Sequence, residues 1–466
     1  MQLLIFCGYS ILVGVIWYVM PSPILVIAAF LAPAIVVKLT KIPYIICLGF
    51  IIFSFFRIHE AFPFLSPLHI PQLLALATLG VLVWHLFVSK EINCYWTPQL
   101  SWFVAFFALV VVGVIFASNS GKAIGYFNST YIKIAILVFA IVWLSKSPSD
   151  FLLASRLFLL SGVVIACVAL SNKMNGIGLV EGTRVTIGRD IGSILGDPND
   201  LSLVLLFPCG FGLSLFFSTG LSKCERYLAG LSYFLLVSAI IATQSRGGLL
   251  GIMVISGYFA WIKVKSKMLL ISGAAVLLPI LLVLAGISDR SSGGAAEEGI
   301  DESAMGRIYA WGAAYKMALS NPLTGVGINN FLVNYYYYSA HWDGLNHAVH
   351  STWFGILAET GFLGLTVFLC LLASLLRKLK TAQRQISLLI LMVENNSCLL
   401  SRNKLITIQY YSFALFAGFL SFMVSGTFLT QGFTWPFYIL MALTISLCNY
   451  IEHQYIAHNT QVITQE

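Results

Sequence analysis

Charge is what this chain has least of: of its 466 residues only 9% are Asp, Glu, Lys or Arg, against 59% hydrophobic, and the mean hydropathy is +0.90. Soluble domains carry about 25% charged residues, so a soluble globular protein is excluded and a polytopic membrane protein is indicated. The short alternating segments of a transmembrane barrel are missing too. The start, MQLLIFCGYS, has neither a basic n-region nor a small-residue cleavage site, so the first helix is expected to be retained. No repeat and no separate soluble domain interrupts the chain, which reads as one integral membrane domain over 1–466. No cysteine falls in a predicted outer loop, so no disulfide is expected there.

What is present is a series of apolar runs long enough, at roughly 17–25 residues, to cross the bilayer as helices. Cutting at turn and charge clusters gives spans near 3–20, 24–37, 43–57, 69–88, 99–117, 129–145 and 151–170. A second set follows near 200–218, 226–243, 248–262, 268–286, 352–376, 409–427 and 433–450. The expected fold is all-α, a polytopic transmembrane bundle of about 12–14 spans, with one large outer loop, 287–351, that contains short helices. Residues 377–408 read as a basic connecting loop.

Placing the N-terminus in the cytoplasm collects most lysines there, as the positive-inside rule requires, and accounts for most of the +8 net charge without a nucleic-acid partner. The same parity puts Arg184, Arg189, Arg246, Arg290 and Arg307 on the outer side, where few positive charges are expected. Arg246 lies between two apolar runs in TQSRGGLLG, and a guanidinium at that depth faces a polar cavity or a partner. Arg307 opens a helical pattern with Ile308, Trp311, Ala314, Tyr315 and Leu319, an amphipathic helix on the membrane, which Asn321-Pro322 ends. Asp197-Pro198-Asn199-Asp200 reads as a turn and helix cap. Several arginines on one face suit a phosphate or pyrophosphate, which the planar guanidinium binds through paired hydrogen bonds; headgroup binding is the plainer alternative.

His347 and His350, three apart, would share a face if the following helix starts early enough. With His341 and Asp343 nearby they still match no strong metal motif, so no metal is expected. A histidine with a pKa near 6.5 suits a general base, or simply a hydrogen-bonded place at the interface. Glu359 lies nine residues beyond His350, on the other side of a helix, and is expected to be buried, paired with an arginine or protonated. The tyrosines Tyr335 to Tyr338, with Trp342, suit a membrane interface or the faces of sugar rings.

Four stretches in order resemble the O-antigen ligase family of bacterial membrane glycosyltransferases. They are G-D-P-N-D at 196–200, S-R-G-G at 245–248, G-R-x-x-x-W at 306–311 followed by N-P-L-x-G-x-G at 321–327, and H-S-T-W-F-G-I-L-A-E-T-G at 350–361. The family also includes O-antigen polymerases and protein O-oligosaccharyltransferases. The resemblance implies transfer of a glycan from an undecaprenyl pyrophosphate donor to a lipid A-core acceptor, at the periplasmic face of the bacterial inner membrane, with no cofactor and membrane lipids around it. By matching motif His350 would be the base, Arg246 and Arg307 would bind the pyrophosphate, and Arg189 would be a third ligand. Arg184, His347, Tyr336 and Trp311 are supporting candidates. Relatives often have Asn after the motif histidine, where this chain has Ser351. A polymerase is the next reading, then a protein glycosyltransferase. A lipid-linked oligosaccharide transporter should show charges along a path through the bundle and paired repeats; here only Lys133 and Arg156 interrupt the spans strongly.

Overall fold

The computed structural model describes residues 40–284, 302–342, 344–394 and 401–463, with isolated positions before residue 40. Outside the described residues lie nearly all of the spans 3–20 and 24–37, the start of the long loop with Arg290, and Asp343 and Cys398. Among the described residues the regular elements are helical, apart from one antiparallel bridge between Val180 and Arg184. Among the described residues eight helices are long and apolar enough to cross a membrane.

The chain runs through α1 (Pro43–Phe55), α2 (Ile70–Val83), α3 (Pro98–Ile115), α4 (Ser120–Leu144), α5 (Pro148–Asn175), α6 (Pro198–Phe217) and α7 (Lys223–Thr243). It continues through α8 (Arg246–Lys263), α9 (Lys267–Leu284), α10 (Glu302–Ser320), α11 (Phe331–Tyr338), α12 (Thr352–Glu394), α13 (Arg402–Ser425) and α14 (Trp435–Ile463). Local chemistry sets the starts. Thr97-Pro98 caps α3, Ser147 and Asp150 form a reciprocal capping box on α5, and Asp197 accepts the Asn199 and Asp200 amides at the head of α6.

Contacts between connections define two ends of the bundle. At the basic end Lys146 donates to Glu91 O at 3.0 Å and Lys378 pairs with Glu452 at 2.7 Å. Arg156, one of the two in-span charges, pairs with Glu225 at 2.7 Å. At the opposite end the Ser118 amide donates to Val326 O at 3.0 Å, the Val185 amide to Ala242 O at 3.2 Å, and Tyr126 to Phe433 O at 3.2 Å. Residues 56–69, 116–119, 176–197 and 302–351 gather at this second end. Between the two ends the interior is aromatic, as where Phe368 meets Phe437 with centroids 4.6 Å apart. In lipid such packing, rather than escape from water, holds helices together.

The sequence expectation of a connecting loop over 377–408 is corrected: α12 runs to Glu394 and α13 starts at Arg402. Leu379, Ala382, Ile386 and Leu389, spaced by three and four, are buried, so the basic residues ride on the open face of an amphipathic helix. Gln383 donates to Ser412 O at 3.2 Å and ties the two extensions together.

α12 is broken once. Gly361 has φ 69° and ψ −173°, and a Cβ there would lie 2.4 Å from Pro322 O. The reason is an interlock with the N-P-L-T-G-V-G turn: the Phe362 amide donates to Pro322 O at 2.8 Å, and the Val326 amide donates to Ala358 O at 2.8 Å. The turn takes over hydrogen-bonding groups that a continuous helix would use internally, which explains the kink.

Candidate active site

His350 does not sit on a helix. α12 begins at Thr352, and His350 has φ 43°, a left-handed conformation that non-glycine residues seldom adopt. The expected shared helical face with His347 is therefore corrected: 347–351 is irregular, and His347 instead turns edge-on to Tyr335, centroids 5.5 Å apart. The backbone at His350 is held from both sides. Trp311 donates to Val349 O at 3.1 Å while stacking on Phe354 at 5.2 Å. Thr352, with no exposed surface, donates its amide to Gly426 O at 2.7 Å and its hydroxyl to Leu429 O at 2.7 Å, and accepts the Gln431 amide at 3.0 Å.

The turn 426–431, between α13 and α14, also reaches both motif arginines. A Cβ on Gly247 would lie 3.1 Å from Leu429 Cγ, so the head of α8, where Arg246 is the first residue, packs on that leucine. Arg307, in the second turn of α10, places its guanidinium carbon 5.9 Å from the centre of the Phe428 ring. One short turn thus contacts Thr352, two residues after His350, Gly247, next to Arg246, and the Arg307 guanidinium. Arg307 also acts on His350 electrostatically. Burial and then the Arg307 charge hold the imidazole below the ordinary histidine value, with His347 in the same sense and Asp197 opposing. His350 is therefore neutral at neutral pH and able to accept a proton.

Arg246 is set by a side-chain bracket. Ser245 caps α8, accepting the Gly248 amide at 3.3 Å, and its hydroxyl donates to Asn199 Oδ1 at 3.0 Å. The same oxygen accepts Arg184 Nη2 at 3.2 Å, while Arg184 Nε donates to Thr243 O at 3.2 Å. Arg184 is buried in these contacts and braces the heads of α6 and α8. Arg189 is exposed, in a turn folded so tightly on Gly196 that a Cβ there would lie 2.9 Å from Arg189 Cα. Tyr336 is exposed on α11.

α10 forms where the spacing predicts it, and Ile308, Tyr315 and Leu319 are exposed along it. The face that packs is the small one, Ala310, Ala313, Ala314 and Met317. Glu359 is buried as expected, but its partners are backbone: the carboxylate accepts the Asn329 amide at 2.9 Å and the Phe331 amide at 3.2 Å, and so fixes the head of α11. Sequence reasoning missed Asn199 as a bracket, the turn 426–431, and an Arg57–Glu60 ion pair whose carboxylate also accepts Ser193 Oγ at 2.5 Å. Ser425-Gly426-Thr427 and Gln431-Gly432, polar between two apolar helices, were the available signal for that turn. Among the described residues no group of three or more His, Cys, Asp or Glu is arranged to hold a metal ion.

Residues 231–369 match the family model described as O-antigen ligase. The fold is that of a multi-pass membrane protein, and the matched stretch is similar to a family of membrane glycosyltransferase-like ligases. The stretch that resembles the O-antigen ligase model runs from α7 into α12 and contains Arg246, Arg307 and His350. The bracket residues Arg184 and Asn199 and the turn 426–431 lie outside the matched stretch. No curated protein matches the chain.

Proposed function

We propose that the protein is an O-antigen ligase that moves a glycan from undecaprenyl pyrophosphate to the lipid A core on the periplasmic face of the bacterial inner membrane. The observation that carries this is the turn 426–431, which contacts Thr352 two residues after His350, Gly247 beside Arg246, and Arg307 itself, with the Arg307 charge helping to hold His350 neutral. His350 takes the proton of the acceptor hydroxyl, whose oxygen attacks the anomeric carbon. The bond from that carbon to the pyrophosphate oxygen breaks, and undecaprenyl pyrophosphate leaves with the electron pair. Negative charge grows on the leaving oxygens in the transition state, where fixed guanidinium groups stabilise it most. Arg246 and Arg307 supply those groups, with the exposed Arg189 as a third. Attack from the face opposite the leaving group inverts the anomeric centre.

A chromosomal deletion examined on a lipopolysaccharide gel tests the assignment. Bare core, with polymer retained on the lipid carrier, is the expected outcome. Single repeat units on the core would replace the ligase by a polymerase using the same chemistry, and unchanged lipopolysaccharide would refute both.

A further inference from the structure

On α11 and the segment that leads from it toward His350 the protein exposes a set of aromatic rings. Tyr336, Tyr337 and Trp342 are 55%, 77% and 43% exposed, which is unusual for three neighbouring large rings. They are ordered against one another: Tyr336 lies edge-on to Trp342 at 4.8 Å and to Tyr337 at 5.3 Å, both at 77°. Their anchor is Tyr335, 1% exposed, which lies 6.5 Å from Trp342 and 5.5 Å from His347. The rings are thus continuous, through Tyr335 and His347, with the segment that ends at His350.

Position and chemistry together narrow what could lie on them. Because the rings connect through Tyr335 and His347 to the segment that carries His350, a molecule that brings a hydroxyl to His350 can extend its neighbouring parts over them. Arg246 and Arg307, which would hold the donor's pyrophosphate, lie at the heads of α8 and α10 and are on neither α11 nor the segment 339–347, which carry the exposed rings. Flat rings with polar tips fit a pyranose, which offers an apolar C–H face and hydroxyls around its edge. Polar positions interleave with the rings, among them Ser339, whose hydroxyl donates to His341 O at 2.7 Å. A purely lipid-facing surface would have no use for them.

We infer that Tyr336, Tyr337 and Trp342 form a stacking platform that binds the sugar rings of the acceptor glycan beside the base. The inference rests on the proposed transfer reaction and names the residues that select its acceptor.

The test uses the full chain in lipid nanodiscs. Leucine is the informative replacement, since it keeps an apolar anchor for lipid but removes the flat face. Tyr336→Leu and Trp342→Leu should each raise the acceptor KM by roughly fivefold or more, with kcat within about twofold and the donor KM unchanged, while Tyr336→Phe stays near wild type. Core oligosaccharide released from lipopolysaccharide by mild acid should bind the wild type in saturation-transfer NMR and lose that signal in both leucine variants. An acceptor KM that stays put in the leucine variants, or a rise confined to the donor KM, overturns the platform. His350→Ala separates this inference from the reaction itself: it should keep oligosaccharide binding and transfer nothing. If the wild type transfers nothing to the core, the proposed function fails, and oligosaccharide binding still decides the platform.

Discussion

Replacing Thr352 by valine keeps a β-branched side chain of nearly the same shape and removes one hydroxyl. That hydroxyl donates to Leu429 O at 2.7 Å and accepts the Gln431 amide at 3.0 Å, at a residue with no exposed surface. Water cannot replace it, so two backbone groups are left unpaired at about 1–3 kcal/mol each, roughly 2–6 kcal/mol in all. The lost contacts join His350 to the turn that also carries the Arg246 and Arg307 contacts. A tenfold rate change corresponds to about 1.4 kcal/mol, so even ~2 kcal/mol passed to the placement of His350 slows transfer roughly 30-fold. The assay is transfer by purified protein in nanodiscs, with membrane insertion checked by protease protection. Thr352→Ser, which keeps the hydroxyl, should stay within a few-fold of wild type. A Thr352→Val enzyme working at wild-type rate would refute the reasoning, because the turn would then not position the base.

His350→Ala should leave the protein inserted and abolish transfer; full activity would remove the proposed base. Arg246→Lys keeps the charge but loses the paired donor geometry, and should lower kcat/KM by at least about tenfold; wild-type turnover would count against direct pyrophosphate contact. Because His350 is held below the ordinary histidine value, its neutral, active form persists on mild acidification and is lost only below pH ~6.5. Arg307→Gln removes one of the causes of that depression, so the acidic midpoint of the residual rate should move upward, and an unmoved midpoint would show that the two groups are not coupled. Gly361→Ala forces a side chain into a left-handed residue 2.4 Å from Pro322 O. It should cost at least ~2 kcal/mol, read as a lower thermal midpoint in detergent.

Much of this was legible in the sequence wherever apolar length or a local signal sufficed. The helices that fit the bilayer, the cap at Asp197, the buried Glu359 and Arg246 at a helix head all follow from composition and spacing. The helical extensions on either side of residues 395–401 did not, because their basic residues mask a buried stripe that needs a partner to become visible. Nor did the geometry of His350. Its backbone conformation is imposed by the bonds of Thr352 to a turn more than seventy residues away, and no local pattern encodes such a contact. The partners of Glu359 were misjudged for a related reason: backbone amides leave no mark in a sequence, whereas arginines do.

The turn 426–431 also has a consequence for how the protein is made. Arg246, Arg307 and His350 are all translated before it, yet Arg307 and near neighbours of the other two pack against it. At about 5–20 residues per second, roughly ten to forty seconds separate synthesis of Arg246 from synthesis of the turn. Until α13 has been inserted and the chain has turned back into α14, three reactive groups exist in the membrane without a common support. A nascent or truncated chain is then a collection of helices with no working centre, and activity begins only at a late step of membrane assembly.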